Sequence, residues 1–203
     1  GGGMALARAE LTGPSLSRLR PKLKQTAITL WSIYVVLTLA EFLILWLTGL
    51  MSPFDSINHA LTTMPSGGFS TRDASIAYYD SFALEMILVV FMFLAGVNFA
   101  LLWFIKEGEL KKVFEDEEFK YYSIYLLVAI LAIAGALIGS GTDVGTSLRG
   151  SIFTVVAMAT STGYGAANYT DPSWPLVTHF VIFILMVVGA SAGSTGGGLK
   201  LLR

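Results

Sequence analysis

The stretch "ATSTGYGAANY" (residues 159–169) lies between two strongly apolar runs, and its reading decides the fold. Two glycines bracket a tyrosine, three hydroxyl residues precede them, and no carboxylate follows until Asp171. The chain around it is 54% hydrophobic and 13% charged, with a mean hydropathy of +0.68. A soluble domain carries about a quarter charged residues, so this composition places the chain in a bilayer. A net charge of -1 leaves no basic excess to track phosphates, which excludes nucleic acid as a partner. Cysteine is absent, so there is neither a disulfide framework nor a thiolate site.

Runs at 26–50, 82–105 and 121–139 are long enough to cross the hydrocarbon as helices. A fourth, 174–188, runs into "GASAGSTGGGLKLLR", which no straight span tolerates, and is expected to be interrupted. Segments 53–64 and 145–160 are apolar but too short to span, and each ends in a Ser/Thr/Gly cluster. They are expected to be re-entrant helices. Ser52 is placed to cap the first, with Pro53 in its first turn and Asp55 closing a capping box; Thr142 or Asp143 can cap the second. Such helices aim their partially negative C-terminal ends into the membrane, which favours a cation there.

A displacement of 95 residues lays "DSINHALTTMPSGGFS" (55–70) over "GSIFTVVAMATSTGYG" (150–165). Ser56 then matches Ser151, Ile57 Ile152, Ser66 Ser161, Gly68 Gly163, and the aromatic Phe69 matches Tyr164. The repeated unit is span, short helix, polar turn, span, and transport proteins commonly place their sites where such repeats meet. With the N-terminal segment inside, 11 of the 13 Lys and Arg fall on the cytoplasmic side, among them Arg18, Arg20, Lys22 and Lys24; only Arg72 and Arg149 fall outside. Both polar turns then face outward.

Irregular backbone at membrane depth is tolerated only where protein or water satisfies it, so each turn must line something. Successive carbonyls can replace the hydration shell of K+, and turning them toward one axis needs positive φ, which Gly68 and Gly163 accept without steric cost. Neither turn carries Asp or Glu, which points to a monovalent cation rather than a divalent one. The plain alternative is that these small residues only let helices pack closely.

"TTMPSGGFSTRDASIAYYDS", "TSTGYGAANYTDPSWPL" and "GASAGSTGGGLKLLR" together resemble the TrkH-type potassium-transport subunits of the Trk/Ktr/HKT superfamily, over nearly the whole chain. The resemblance implies an all-α membrane protein of repeated helix, re-entrant pore helix and helix units forming a K+ channel-like pore. It divides the chain into a cytoplasmic N-terminal segment (1–25), a unit resembling the family's second (26–105), a cytoplasmic connection (106–120) and a unit resembling its third (121–203). It places the K+ filter on Ser66, Gly67, Gly68 and Phe69 and on Ser161, Thr162, Gly163 and Tyr164. The ion would be held by the backbone carbonyls of Ser66, Gly67, Gly68, Ser161, Thr162 and Gly163. It makes Gly193, Ser194, Thr195, Gly196, Gly197 and Gly198 a gate loop below that filter. Pro65-Ser66 and Tyr164-Gly165 depart from the family's usual residues.

The implied function is potassium uptake across the plasma membrane by a multi-pass protein that is not an enzyme, with K+ as cargo and no organic cofactor. The implied partners are membrane lipid, the remaining two units of the same transporter, a second full-length subunit in a homodimer, and a cytosolic nucleotide-binding regulatory ring. Two filter turns do not encircle an ion, so the chain reads as an internal fragment, with Met4 an interior residue. Within transport, the alternative is a two-unit K+ channel subunit acting as a dimer, since "STGYG" approaches the "TVGYG" of tetrameric channels.

A different class of function rests on residues 189–193, which fit G-x-S-x-G with Ser191 as nucleophile and His179 as base of an intramembrane serine hydrolase. The motif follows a helical run where a strand is required, and no acid partner is evident. A phosphate loop fails because Gly198 is followed by Leu199 before Lys200. Glu41, in mid-span, is expected to hydrogen-bond a neighbouring pore helix, and His59 and His179 to be neutral and packed. "KEGELKKVFEDEEFK" (106–120) mixes both signs and reads as a solvated connection; Trp31, Trp46, Trp103 and Trp174 read as interfacial anchors.

Overall fold

In the computed structural model, residues 23–201 are described. Arg18, Arg20, Lys22 and most of the expected N-terminal segment lie outside them. The described elements are α1 (Leu23–Leu47), α2 (Pro53–Thr63), a 3-10 turn (Ser75–Tyr79), α3 (Phe82–Gly96), α4 (Phe99–Lys106), α5 (Leu110–Glu115), α6 (Glu117–Gly139), α7 (Val144–Ala159) and α8 (Leu176–Val187). α1 and α6 are long and apolar enough to cross a membrane. The segments expected to be re-entrant are the short helices α2 and α7.

Both short helices start where their caps dictate. The Asp55 amide donates to Ser52 Oγ at 3.1 Å, and Pro53 occupies the first turn, where its missing N–H costs nothing. Asp143 caps α7 by accepting from the Gly145 and Thr146 amides, at 2.8 and 3.1 Å. The expected capping box at Asp55 is replaced by a longer reach. Its carboxylate takes Ser52 Oγ at 2.9 Å, Thr71 Oγ1 at 2.6 Å and Arg72 Nη2 at 2.9 Å, tying the helix start to the chain beyond the first turn.

The run 82–105 was expected to be one straight span and is not. α3 and α4 meet at 110°, with Val97 extended between them. Asn98 explains the restart, because its side chain accepts from the Ala100 amide at 2.9 Å and caps α4. Gly96 explains why the chain can pass there: a Cβ on it would stand 2.2 Å from the Tyr122 hydroxyl. The connection 106–120 is likewise less open than expected, since it holds α5, and α6 begins at Glu117.

α7 is enclosed by α6 and α8 of its own unit and by α3 of the other, and α2 lies between α1 and α3. α3 thus joins the two units, and the buried core runs through Leu84, Leu88, Met92, Ile133, Phe153 and Leu185. Outward faces of α1, α6 and α8 remain apolar, with Trp31, Val36, Leu127, Leu131, Phe180 and Phe183 exposed. A water-facing surface would not leave such contiguous apolar bands uncovered. Trp174 is not an anchor of this kind; it is buried, and a Cβ on Gly150 would stand 3.7 Å from its ring.

Candidate ion filter and gate loop

Each short helix ends in a turn that folds back over its last residues, and the two turns use the same bonds. After α2, the Ser66 amide donates to Thr63 O at 2.9 Å and the Gly68 amide to Thr62 O at 3.1 Å. After α7, the Ser161 amide donates to Met158 O at 3.0 Å and the Gly163 amide to Ala157 O at 2.9 Å. The φ values alternate identically, positive at Ser66 (57°) and Gly68 (64°) and at Ser161 (62°) and Gly163 (76°). Gly68 and Gly163 were expected in this conformation. Ser66 and Ser161 were not, because serine rarely adopts it; the repeat register, which pairs them, was the available signal.

The turns touch. A Cβ on Gly68 would lie 1.7 Å from Thr162 O, so the first turn passes the second at backbone contact. The two aromatic residues that follow have opposite fates. Tyr164 is 1% exposed, and its hydroxyl donates to His59 O at 3.1 Å and meets Thr62 Oγ1 at 2.7 Å and Thr63 Oγ1 at 3.1 Å. Phe69 is 76% exposed. Behind the first turn, His59 is buried with Nδ1 at 2.8 Å from Asp55 O and Nε2 at 3.0 Å from Ser70 Oγ. A carbonyl can only accept, so Nδ1 carries a proton, and the Ser70 hydroxyl holds Nε2 from the other side.

Glu41 is buried on α1 and faces Thr63, yet neither carboxylate oxygen closes a hydrogen bond among the described residues. Glu41 thus stands beside the expected pore helix, α2, with Thr63 as its polar neighbour. Arg149 of α7 is better served, donating to Glu85 Oε2 and Oε1 at 2.9 and 2.8 Å and to Asp80 Oδ1 at 3.0 Å, which fixes α7 to the start of α3. The Asp55 carboxyl is held at about 2 against an ordinary 3.8. The Thr71 hydroxyl is the main cause, Arg72 and Ser52 adding to it against the opposing effect of burial.

Below the turns, α8 stops at Val187 and the chain makes a closed loop. Val188 and Leu199 form a parallel bridge at its neck, with the Gly189 amide donating to Leu199 O at 2.8 Å and the Leu199 amide to Val187 O at 2.9 Å. Gly189 is required there, because a Cβ would stand 1.9 Å from Gly197 O. Thr195 Oγ1 lies 3.1 Å from Ser66 Oγ, and a Cβ on Gly197 would be 3.4 Å from Ser161 Oγ. The loop therefore reaches both turns. The expected loop residues Gly193 to Gly198 are all in it; Gly189, Ser191 and Ala192 belong to it as well. Ser191 donates its amide to Gly96 O at 3.1 Å, and no hydrogen bond joins it to His179 among the described residues, which leaves the hydrolase reading without support.

Comparison with known proteins gives the same picture. Residues 1–122 match the family described as TrkH, cation transport protein. The chain belongs to the TrkH family. Over its whole length it is 38% identical to Trk system potassium uptake protein TrkH of Salmonella typhimurium and to that of Escherichia coli K12, covering 42% of each. It is 34% identical to Trk system potassium uptake protein TrkG of Escherichia coli K12, again covering 42%. The chain thus spans about two-fifths of the length of these curated relatives. The crystal structure of the potassium transporter TrkH from Vibrio parahaemolyticus superposes with a TM-score of 0.86 at 34% identity, over 100% of this chain and 44% of that one. The helical, channel-like TrkH fold and its place in a membrane follow. Within that fold, no group of three or more His, Cys, Asp or Glu side chains is gathered among the described residues, and the polar groups at the turns are hydroxyls and backbone.

Proposed function

We propose that this chain supplies two of the four quarters of a K+ filter, with part of its gate, in a Trk-type potassium uptake subunit of the plasma membrane. The observation that carries this reading is the pair of contacting turns with the same alternation of positive φ and the same back-bonds. Residues alternating in this way turn consecutive carbonyls to one side. Ser66, Gly67, Gly68, Ser161, Thr162 and Gly163 offer theirs as substitutes for the water around K+. α2 and α7 end at the turns and add the partial negative charge of their C-terminal ends. Residues 193–198 are the gate loop, and the units follow the division 26–105 and 121–203, joined by a cytoplasmic connection.

The relatives' greater length supports completion of the filter by two further units of the same subunit rather than by a second two-unit chain. Multi-pass orientation with the turns outward, a homodimer of full-length subunits and a cytosolic nucleotide-binding ring belong to the same reading. K+ is the cargo, and neither an organic cofactor nor enzymatic chemistry is part of it. Gly163→Asp in the full-length transporter, measured by Rb+ uptake and K+/Na+ preference in cells lacking other uptake systems, tests it. Loss of uptake or broadened preference is expected; wild-type values for both would remove the filter from residues 161–164.

A further inference from the structure

The glycine-rich loop is seated on the other unit. Ala95 O accepts from the Thr195 amide and hydroxyl, both at 3.1 Å, and Gly96 O accepts from the Ser191 amide at 3.1 Å. In return the Phe99 amide donates to Gly193 O at 3.1 Å. In an unbroken helix the carbonyls of residues 95 and 96 and the amide of residue 99 would be consumed by i,i+4 bonds. The 110° break between α3 and α4 frees them. It thereby makes the seat.

A further hold comes from outside the seat. Glu118 Oε1 accepts from the Ala192 amide at 2.5 Å, with Asn98 and Lys200 beside the same carboxylate. The Tyr125 hydroxyl donates to Val188 O at 3.1 Å at the loop's neck, and Lys200 Nζ donates to Gly196 O. Glu118 stands in the first turn of α6, immediately after α5 and the charged connection. The seat bonds are between neutral groups within the membrane helices, whereas the Glu118 bond is charge-assisted and lies at the boundary with the connection. α5 packs against α6, so a displacement of α5 bears on the turn that carries this acceptor.

We propose that Glu118 is the latch by which the connection 106–116 controls the glycine-rich loop, holding the Ala192 amide while the loop is seated against both filter turns. Glu118 is a positioning residue and touches no ion. The inference rests on the gate reading of residues 193–198. A seated loop lies at Ser66 and Ser161, so withdrawal of the latch favours conduction. Loss of one hydrogen bond to a charged group shifts such an equilibrium about tenfold or more.

Single-channel recording of the full-length transporter tests this. Glu118→Ala should raise the ratio of open to closed time about tenfold, with unitary conductance and K+/Na+ permeability ratio unchanged. Glu118→Gln keeps an acceptor oxygen and should fall between, which a merely structural role would not produce. Should Glu118→Ala fail to assemble, the rate at which a thiol reagent modifies Ser194→Cys decides, in the Glu118→Gln background against the parent. An increase of about threefold supports the latch; an unchanged rate overturns it. The gate reading is separated from the latch by replacing Gly196, Gly197 and Gly198 with Ala. If that triple variant alters open time and Glu118→Ala does not, the latch is wrong and the gate stands. If neither alters it, both fall. A change in permeability ratio alone also overturns the latch, because it places Glu118 on the filter.

Discussion

The two turns that follow the short helices, the candidate filter, have the same backbone and different surroundings. Ser66 and Gly68 repeat the φ signs and the back-bonds of Ser161 and Gly163, while Gly67 adds a bond to Thr62 O at 2.8 Å that is not matched at Thr162 among the described residues. Yet Gly68 is pressed against the second turn while no atom lies within 4 Å of a Cβ on Gly163, and Tyr164 is buried where Phe69 is bare. The difference teaches that local sequence is enough to bend a filter turn, whereas its side-chain environment is set by which neighbour stands beside it. Tyr164 of the second turn is enclosed by α2, whereas Phe69 of the first is 76% exposed among the described residues.

The largest test of that contrast is alanine at the paired glycines. Both substitutions strain a positive-φ residue by about 1 kcal/mol or more. Gly68→Ala also drives a methyl to 1.7 Å from Thr162 O, which side-chain adjustment cannot relieve. Rb+ uptake by the full-length transporter should fall to background for Gly68→Ala and only severalfold for Gly163→Ala. Equal losses would break the distinction drawn between the turns.

The aromatic pair gives a smaller effect. Tyr164→Phe keeps the ring and removes the hydroxyl that meets Thr62, Thr63 and His59 O, at a cost of about 1 kcal/mol in thermal unfolding of the purified transporter. Phe69→Tyr adds a hydroxyl at a position with no such partners in this chain, and a matching gain in stability would contradict the asymmetry.

The smallest effect is in the helix starts. Asp55 is depressed to about 2 from 3.8, so its stabilising contribution is complete above about pH 4 and is lost as pH falls from there toward 2. Asp55→Asn should flatten that part of the acid-unfolding profile. Asp143→Asn should change little at neutral pH, since asparagine caps a helix about as well as aspartate. Its carboxylate holds the Gly145 and Thr146 amides at the start of its own helix.

Much of this architecture is legible in the sequence because it is local. Ser52, Pro53 and Asp143 mark helix starts, Gly68 and Gly163 mark positive φ, and the displacement of 95 residues pairs them. The break at Val97 is hidden by the unbroken apolar run around it; hydropathy registers transfer from water and is blind to direction. Only Gly96 and Asn98, a tolerant residue and a cap, mark it in hindsight. The seat of the loop and the socket of Tyr164 are contacts across about a hundred residues of chain, in which the Thr195 hydroxyl meets a backbone carbonyl and the Tyr164 hydroxyl meets Thr63, and no local pattern pairs residues that far apart. The same limit applies to Glu41: its position in mid-span announces burial, but its lack of a closed hydrogen bond depends on where Thr63 falls.

Tyr164 carries a consequence for symmetry. It reaches from its own unit into the helix of the unit before it, so the contact joins unlike surfaces, head to tail. Contacts of that kind close only when the rotation from one member to the next divides a full circle; otherwise they climb into a spiral. In the proposed four-unit arrangement, Phe69, by the same rotation, is a knob whose hole belongs to a preceding member. The width of the opening is then a property of the angle per step rather than of any single turn, and an error of a few degrees at one knob is passed to every member of the circle.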